Sequence, residues 1–222
     1  LAKDLDEDIH AWRFRKLDKE YPYLVVDARY EKIRINHQVV SQGVLLAVGI
    51  GSDGYREILG TWVADSENET SWSEVFKELK ERGLTGVRYV VSDDHAGLVK
   101  AIGRHFQGVL WQRCQVHFVR NLCSVVSKKD RSKVVEMLRE ITTAQTYVTA
   151  RKRMDEAIEV LEKLHPKVAQ ILEENGEDIL TVYQLPVWQR RGMKSTNMLE
   201  RYNQELKRRT RVVRIFPNQE SC

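Results

Sequence analysis

Between Tyr21 and Asp65 the chain carries three β-type segments in succession, and after Asn68 its apolar residues change period. That switch limits the available folds more than any other feature. The first segment, YLVVDARYEKIRI, is β-branched and aromatic, with alternation after Asp27. VVSQGVLLAVGI follows, and the turn signal Ser52-Asp53-Gly54 leads into YREILGTWVAD. Three strands joined by short loops predict an antiparallel meander. Asn68-Glu69-Thr70-Ser71 then precedes WSEVFKELKERG, where Trp72, Val75, Phe76 and Leu79 recur at helical spacing and Gly83 marks the stop.

The nearly all-apolar GVRYVVSD suits a strand in the buried middle of a sheet. HAGLVKAIGRHF reads as a helix, VLWQRC as a strand and VHFVRNLCSVV as a helix. From about Lys128 to Tyr183 every segment is helical: Val134, Val135, Leu138 and Ile141, then Met154, Ala157, Ile158 and Leu161, then Val168, Ile171 and Leu172. Leu185-Pro186 ends this block, and Thr196 to Arg209 forms a last helix. The order predicts an α/β fold, a mixed sheet flanked by helices with an all-α insertion before the last helix. The expected division is a lead-in helix or linker at 1–20, a core at 21–127, the insertion at 128–185 and the rest of the core at 186–222. The chain starts without Met and stops at FPNQESC, so it reads as a piece of a longer protein.

Two carboxylates stand directly after apolar strand runs, where a centrally buried strand would expose an acid. Asp27 follows four apolar residues, and Asp93 follows the buried strand in the same way, with Asp94 beside it. Each has a plain alternative: Asp27 as a polar residue of an edge strand, Asp93 as a helix cap. Glu200 lies near the start of the last helix with Asn203 and Lys207 on its face, although Asn197 and Glu200 also fit a loose capping box. If the two strands are neighbours, two aspartates and a glutamate supply the hard oxygen ligands of a two-metal phosphoryl-transfer site.

The net charge of +4 does not by itself point to nucleic acid. Its distribution does more. From Arg190 to Arg214 nine Lys or Arg face two Glu. Arg190, Arg191 and Lys194 lie before the last helix, and Arg201, Lys207, Arg208, Arg209 and Arg211 lie on or after it. They form either a solvated face or, as favoured beside a phosphodiester site, phosphate contacts. Trp188 either stacks on an unpaired base or, as favoured, packs into the core.

The three cysteines have no framework spacing and suit a reducing compartment, and no apolar run is long enough to span a bilayer. Cys114-x-x-His117 lacks the second closely spaced pair that a structural zinc needs. His95 is placed either to touch a phosphate or the attacking water, or to hold the start of a helix.

Taken in order, YLVVDARYEKIR, VVSDDHAGLVKAI, QRCQVHFVRNL and STNMLERYNQELKRRTRVVRIFPN resemble the conserved blocks of the Mutator-type bacterial insertion-sequence transposases, a DDE family. The resemblance implies a ribonuclease H-like fold with its helical insertion between the second Asp and the Glu. It implies Asp27, Asp93 and Glu200 as catalytic metal ligands, choosing Asp93 over Asp94 and Glu200 over Glu205, with His95, Cys114, His117 and Asn203 supporting them. Asp94 is left as a helix-start residue. The cofactor implied is Mg²⁺ or Mn²⁺, as two ions. The partners implied are double-stranded DNA, at transposon ends and target, and further copies of the chain in a dimer or larger assembly. No membrane is implied, and the place of action is the bacterial cytoplasm, at the nucleoid. The activity implied is strand cleavage at transposon ends, followed by 3′-OH strand transfer. The alternatives are a ribonuclease H-like nuclease without strand transfer and a domesticated, non-catalytic DNA-binding protein. Recognition of transposon ends is expected to lie largely outside this chain.

Overall fold

The computed structural model describes residues 2–218. In chain order the elements are α1 (Ala2–Arg13), β1 (Tyr23–Ile35), β2 (Gln38–Ile50), β3 (Arg56–Ala64), α2 (Glu69–Glu81), β4 (Tyr89–Ser92), α3 (Ala96–His105) and β5 (Leu110–Arg113). There follow α4 (Gln115–Ser124), α5 (Arg131–Thr142), α6 (Tyr147–Leu164), α7 (Pro166–Asn175), two 3-10 turns (Gly176–Ile179 and Thr181–Gln184), α8 (Val187–Met193) and α9 (Asn197–Thr210). They fall into two compact units, one built from the chain up to Leu110 and from Asn197 onward, the other from Trp111–Thr196. Among the described residues no helix is long and apolar enough to cross a membrane.

The sheet runs β3-β2-β1-β4-β5, with β1 antiparallel to β2, β2 antiparallel to β3, and β4 parallel to β1. This is the predicted meander extended by a parallel strand, the mixed ribonuclease H-like order. The β1–β2 hairpin turns at Asn36 and His37, with φ of 48° and 66°, the left-handed pair that a two-residue hairpin loop needs. The pairing of β4 with β1 covers Tyr23–Val25, and the four residues of β4 are all buried, as its apolar run implied.

Helix α2 starts where the sequence places it. The Asn68 side chain accepts from the Ser71 amide at 3.0 Å while the Asn68 amide donates to Ser71 Oγ at 3.0 Å, a reciprocal cap. Its Trp72, Val75, Phe76 and Leu79 are buried, and α2 packs against α3, which buries Leu98, Ala101 and Ile102. The approach is close at Gly97: a Cβ there would stand 2.6 Å from the Glu69 nitrogen and 2.8 Å from the Asn68 carbonyl carbon.

Past Val25, β1 has lost its β4 partner, and the chain beyond α9 takes part of that edge. Phe216 donates its amide to the Lys32 carbonyl at 2.9 Å and accepts from the Arg34 amide at 2.8 Å. The second unit, apart from its share of β5, is helical, as the periodicity predicted. The stretch 176–184 winds as 3-10 turns rather than α-helix, and the short helix α8 follows Pro186, beyond the predicted end of the helical block.

Candidate active site

The parallel register of β1 and β4 brings two acids together. Val25 pairs with Val91, and two residues further on stand Asp27, within β1, and Asp93, just past the end of β4. A carboxylate oxygen of each lies within 4.8 Å of one from the other. Asp27 is only 6% exposed. The sequence expectation that these strands are neighbours therefore holds, and Asp27 sits on a central strand, not an edge.

Local contacts aim both side chains. Asp93 Oδ1 accepts from the His95 amide at 3.3 Å, within the turn that leads to α3. That helix begins at Ala96 with His95 as its N-cap, which corrects the expectation that Asp94 starts it: Asp94 stands one residue before the cap. Asp27 Oδ2 accepts from Asn203 Nδ2 at 3.2 Å, so α9 faces β1 at the point where its pairing with β4 has stopped. Arg29, two residues along the same strand face, donates from Nη1 to the Asn203 carbonyl at 3.0 Å.

Glu200 is half-buried in the first turn of α9, beside the buried Leu199. It lies three residues before Asn203, hence on the same face of the helix. Among the described residues its carboxylate does not join Asp27 and Asp93 in a cluster of that 4.8 Å closeness.

A fourth acid escaped the sequence analysis. Glu67, in the loop after β3, has a side chain only 6% exposed. It accepts from Trp72 Nε1 at 3.1 Å, and its Oε1 stands 3.8 Å from His95 Nδ1. Burial holds its carboxyl above the usual carboxylate range, with the Asp93 charge adding to the rise while the Trp72 N–H and His95 pull against it. Nothing in SENETS marks Glu67 as anything but a loop residue.

Cys114 and His117 belong to the second unit, at the N-cap and in the first turn of α4. Cys114 is fully buried, and its sulfur accepts from the Thr196 amide at 3.4 Å and the Thr196 hydroxyl at 3.5 Å. Burial pushes the thiol up, but the hydrogen bonds from His117 and Thr196 outweigh it and hold the thiol below its ordinary value. Cys114 thus anchors the residue that immediately precedes α9.

The basic residues divide by partner. Arg190 donates to the carbonyls of Leu185 at 2.8 Å, Gln145 at 2.9 Å and Tyr183 at 3.0 Å, and lies over the Tyr183 ring. Arg208 and Arg209 both donate to Glu205, at 2.7–2.9 Å, and hold its carboxyl down at about 2. Arg191, Arg201 and Lys207 lie at the surface or half-buried, as does Lys194. Trp188, expected in the core, is 79% exposed, with Val187 beside it at 73%.

Three comparisons bear on this arrangement. The family model described as "Transposase, Mutator family" matches residues 1–222. The transposase for insertion sequence element ISRM5 of Rhizobium meliloti (strain 1021) is 44% identical over 222 residues, 100% of this chain and 56% of that protein. The transposase for insertion sequence element IS406 of Burkholderia multivorans is 43% identical over 222 residues, 100% of this chain and 57% of that one. The chain thus spans a little over half the length of these relatives. Among solved structures, the Drosophila P element transposase strand transfer complex covers 52% of this chain and 32% of that one, with 13% identity and a TM-score of 0.31, a likeness too slight to argue from.

Proposed function

The chain belongs to the Mutator family of transposases, and on that premise we propose that it is the catalytic part of a DNA transposase in which Asp27, Asp93 and Glu200 hold divalent cations. The observation that carries the reading is the convergence of Asp27 and Asp93, within 4.8 Å, where the parallel pairing of β1 and β4 stops. Two carboxylates this close repel, and a nearly buried Asp27 makes the repulsion costly unless a cation answers it. Their carboxylate oxygens are hard donors of the kind that Mg²⁺ or Mn²⁺ takes. Two such ions, when bound, would stabilise the charge of the attacking and leaving oxygens in an in-line displacement at phosphorus.

The chain's own residues have the remaining work. Asp27 is aimed from within β1 and Asp93 from just past β4, and Asn203 fixes one oxygen of Asp27. Glu200 adds its carboxylate from the same face of α9. Arg191, Lys194, Arg201 and Lys207, with the half-neutralised Arg208 and Arg209, bind phosphates of the DNA duplex. Arg190, fully engaged with carbonyls of its own unit, shapes the segment that carries Arg191. The reaction is hydrolysis of one phosphodiester at a transposon end, followed by attack of the freed 3′-OH on a target phosphodiester. The target bond to its own 3′ oxygen breaks as the new one forms. Two or more copies act together on paired ends, at the nucleoid in the bacterial cytoplasm.

The test is incubation with a transposon-end duplex bearing a free 3′-OH, a supercoiled plasmid and Mg²⁺. Joined end–plasmid product is expected. Plasmid nicking without joining would show a nuclease, and DNA binding without either product would show a protein that only binds.

A further inference from the structure

The loop after β3 and the turn before α3 are pressed together where Gly97 leaves no room for a Cβ, 2.6 Å from the Glu69 nitrogen. Two titratable side chains meet there. His95 Nδ1 is buried and without a hydrogen bond, and Glu67 Oε1 faces it at 3.8 Å. The same oxygen accepts from Trp72 Nε1 at 3.1 Å, and Trp72 itself is wholly buried, stacked on Phe76. A carboxylate oxygen has lone pairs enough to accept from both groups. A bare Nδ1 lone pair turned towards it would instead be repelled, and a buried nitrogen left unpaired costs free energy.

We infer that Glu67 is a positioning residue of the phosphoryl-transfer site, holding the His95 proton on Nδ1 so that Nε2 accepts a hydrogen bond from the attacking hydroxyl, water or 3′-OH. This rests on the reading of Asp27 and Asp93 as that site, because His95 is tied to Asp93 through its own amide, at 3.3 Å. The tautomer decides what the ring can touch. With its proton on Nδ1, the neutral imidazole has no donor at Nε2, so it serves the nucleophile's O–H and not a phosphate oxygen. The ring is 37% exposed while Nδ1 is buried, so the open edge lies away from Glu67.

Two-bond ¹H–¹⁵N correlation on the full chain with labelled histidine, at pH 8, reads the tautomer directly. His95 should carry its proton on Nδ1 in the parent and in Glu67→Gln, whose carbonyl still accepts from both partners, and should lose that preference in Glu67→Ala. In single-turnover cleavage of an end duplex, Glu67→Ala and His95→Ala should each lower the rate about 10–100-fold, the double variant should be no slower than His95→Ala, and Glu67→Gln should stay near the parent. A proton on Nε2 alone, or on both nitrogens, in the parent overturns the inference, as do losses that multiply in the double variant. Mn²⁺ binding, followed by electron paramagnetic resonance, separates the two readings. A parent that binds no Mn²⁺ sinks the metal site, whereas the tautomer still decides the Glu67–His95 pair.

Discussion

Asn203 reaches across 176 positions of chain to hold Asp27, its Nδ2 donating to Oδ2 at 3.2 Å. The same residue's carbonyl accepts from Arg29, so one turn of α9 is fastened to β1 by a side-chain and a main-chain bond. Asn203→Ala removes the first and keeps the second. It should cost only about 1 kcal/mol of stability, the net worth of one ordinary hydrogen bond. Mn²⁺ affinity should fall more, about 10–100-fold, because an unheld ligand must be ordered on binding. A calorimetric Mn²⁺ titration beside a urea melt separates the two effects, and unchanged affinity would remove Asn203 from the site.

Asp27→Asn and Asp93→Asn keep the shape of each side chain and remove one of two repelling charges. In the presence of a chelator each variant should therefore melt at or above the parent temperature. Strand cleavage in Mg²⁺ should fall by at least about 10²–10³-fold, the loss usual when one preorganised electrostatic partner of a transition state is removed. A variant that melts lower and keeps its rate would mark the acids as structural.

Phe216 pairs with β1 on both sides of Ile33 and is itself buried. It closes the chain down after α9, so its loss should loosen that helix as well as the core. Phe216→Ala is expected to cost about 3 kcal/mol by denaturant melting, at the lower end for a large core truncation. Hydrogen exchange should quicken across 197–210 more than across α2. Uniform quickening would mean that Phe216 serves the core alone.

How far the site was legible follows from what its parts are made of. Asp27 and Asp93 stood out because each directly follows an apolar run, Asp27 within β1 and Asp93 just past β4. The cap of α2 was legible at Asn68, and the helical block from its period. Glu67 was not, because its partner His95 lies 28 positions away and meets it only through the packing of α2 on α3 at Gly97. Arg190 misled in the opposite direction: sequence shows a charge beside other charges, whereas its donors are taken up by three carbonyls. Trp188 shows the limit of reading burial from side-chain type, since a large ring without an apolar periodic context can stand open.

Glu205 sits between Arg208 and Arg209, whose hydrogen bonds hold its carboxyl down at about 2. A value depressed on folding means that the attraction is complete above the ordinary glutamate range near 4.5 and is lost as pH falls through about 2. The pair of arginines should thus stay partly neutralised throughout the pH range in which DNA binding is measured. A ¹³C titration of the Glu205 carboxyl should give a midpoint near 2, moving towards 4.5 in Arg208→Ala. Glu205→Gln frees both guanidinium groups and should steepen the salt dependence of DNA binding, each added phosphate contact raising the slope by about 0.9.

Arg190 and Arg191 are neighbours with opposite expectations. Arg190 satisfies the carbonyls of Leu185, Gln145 and Tyr183, tying α8 to the loop between α5 and α6 and to the 3-10 turn. Arg190→Ala leaves those carbonyls unpaired, and breaking hydrogen bonds to a charged group costs about 1.5–3 kcal/mol each before solvent repairs any of them. It should lower the melting temperature clearly. Arg191 is exposed and makes none of these bonds, so Arg191→Ala should leave the melt unchanged, weaken duplex binding for every sequence alike and reduce the salt slope by about 1. Duplex affinity measured across a salt series, set beside thermal melts of both variants, tests the pair together. If Arg190→Ala melts like the parent and changes only the salt slope, its bonds to the three carbonyls are dispensable, and it belongs with Arg191 among the phosphate contacts.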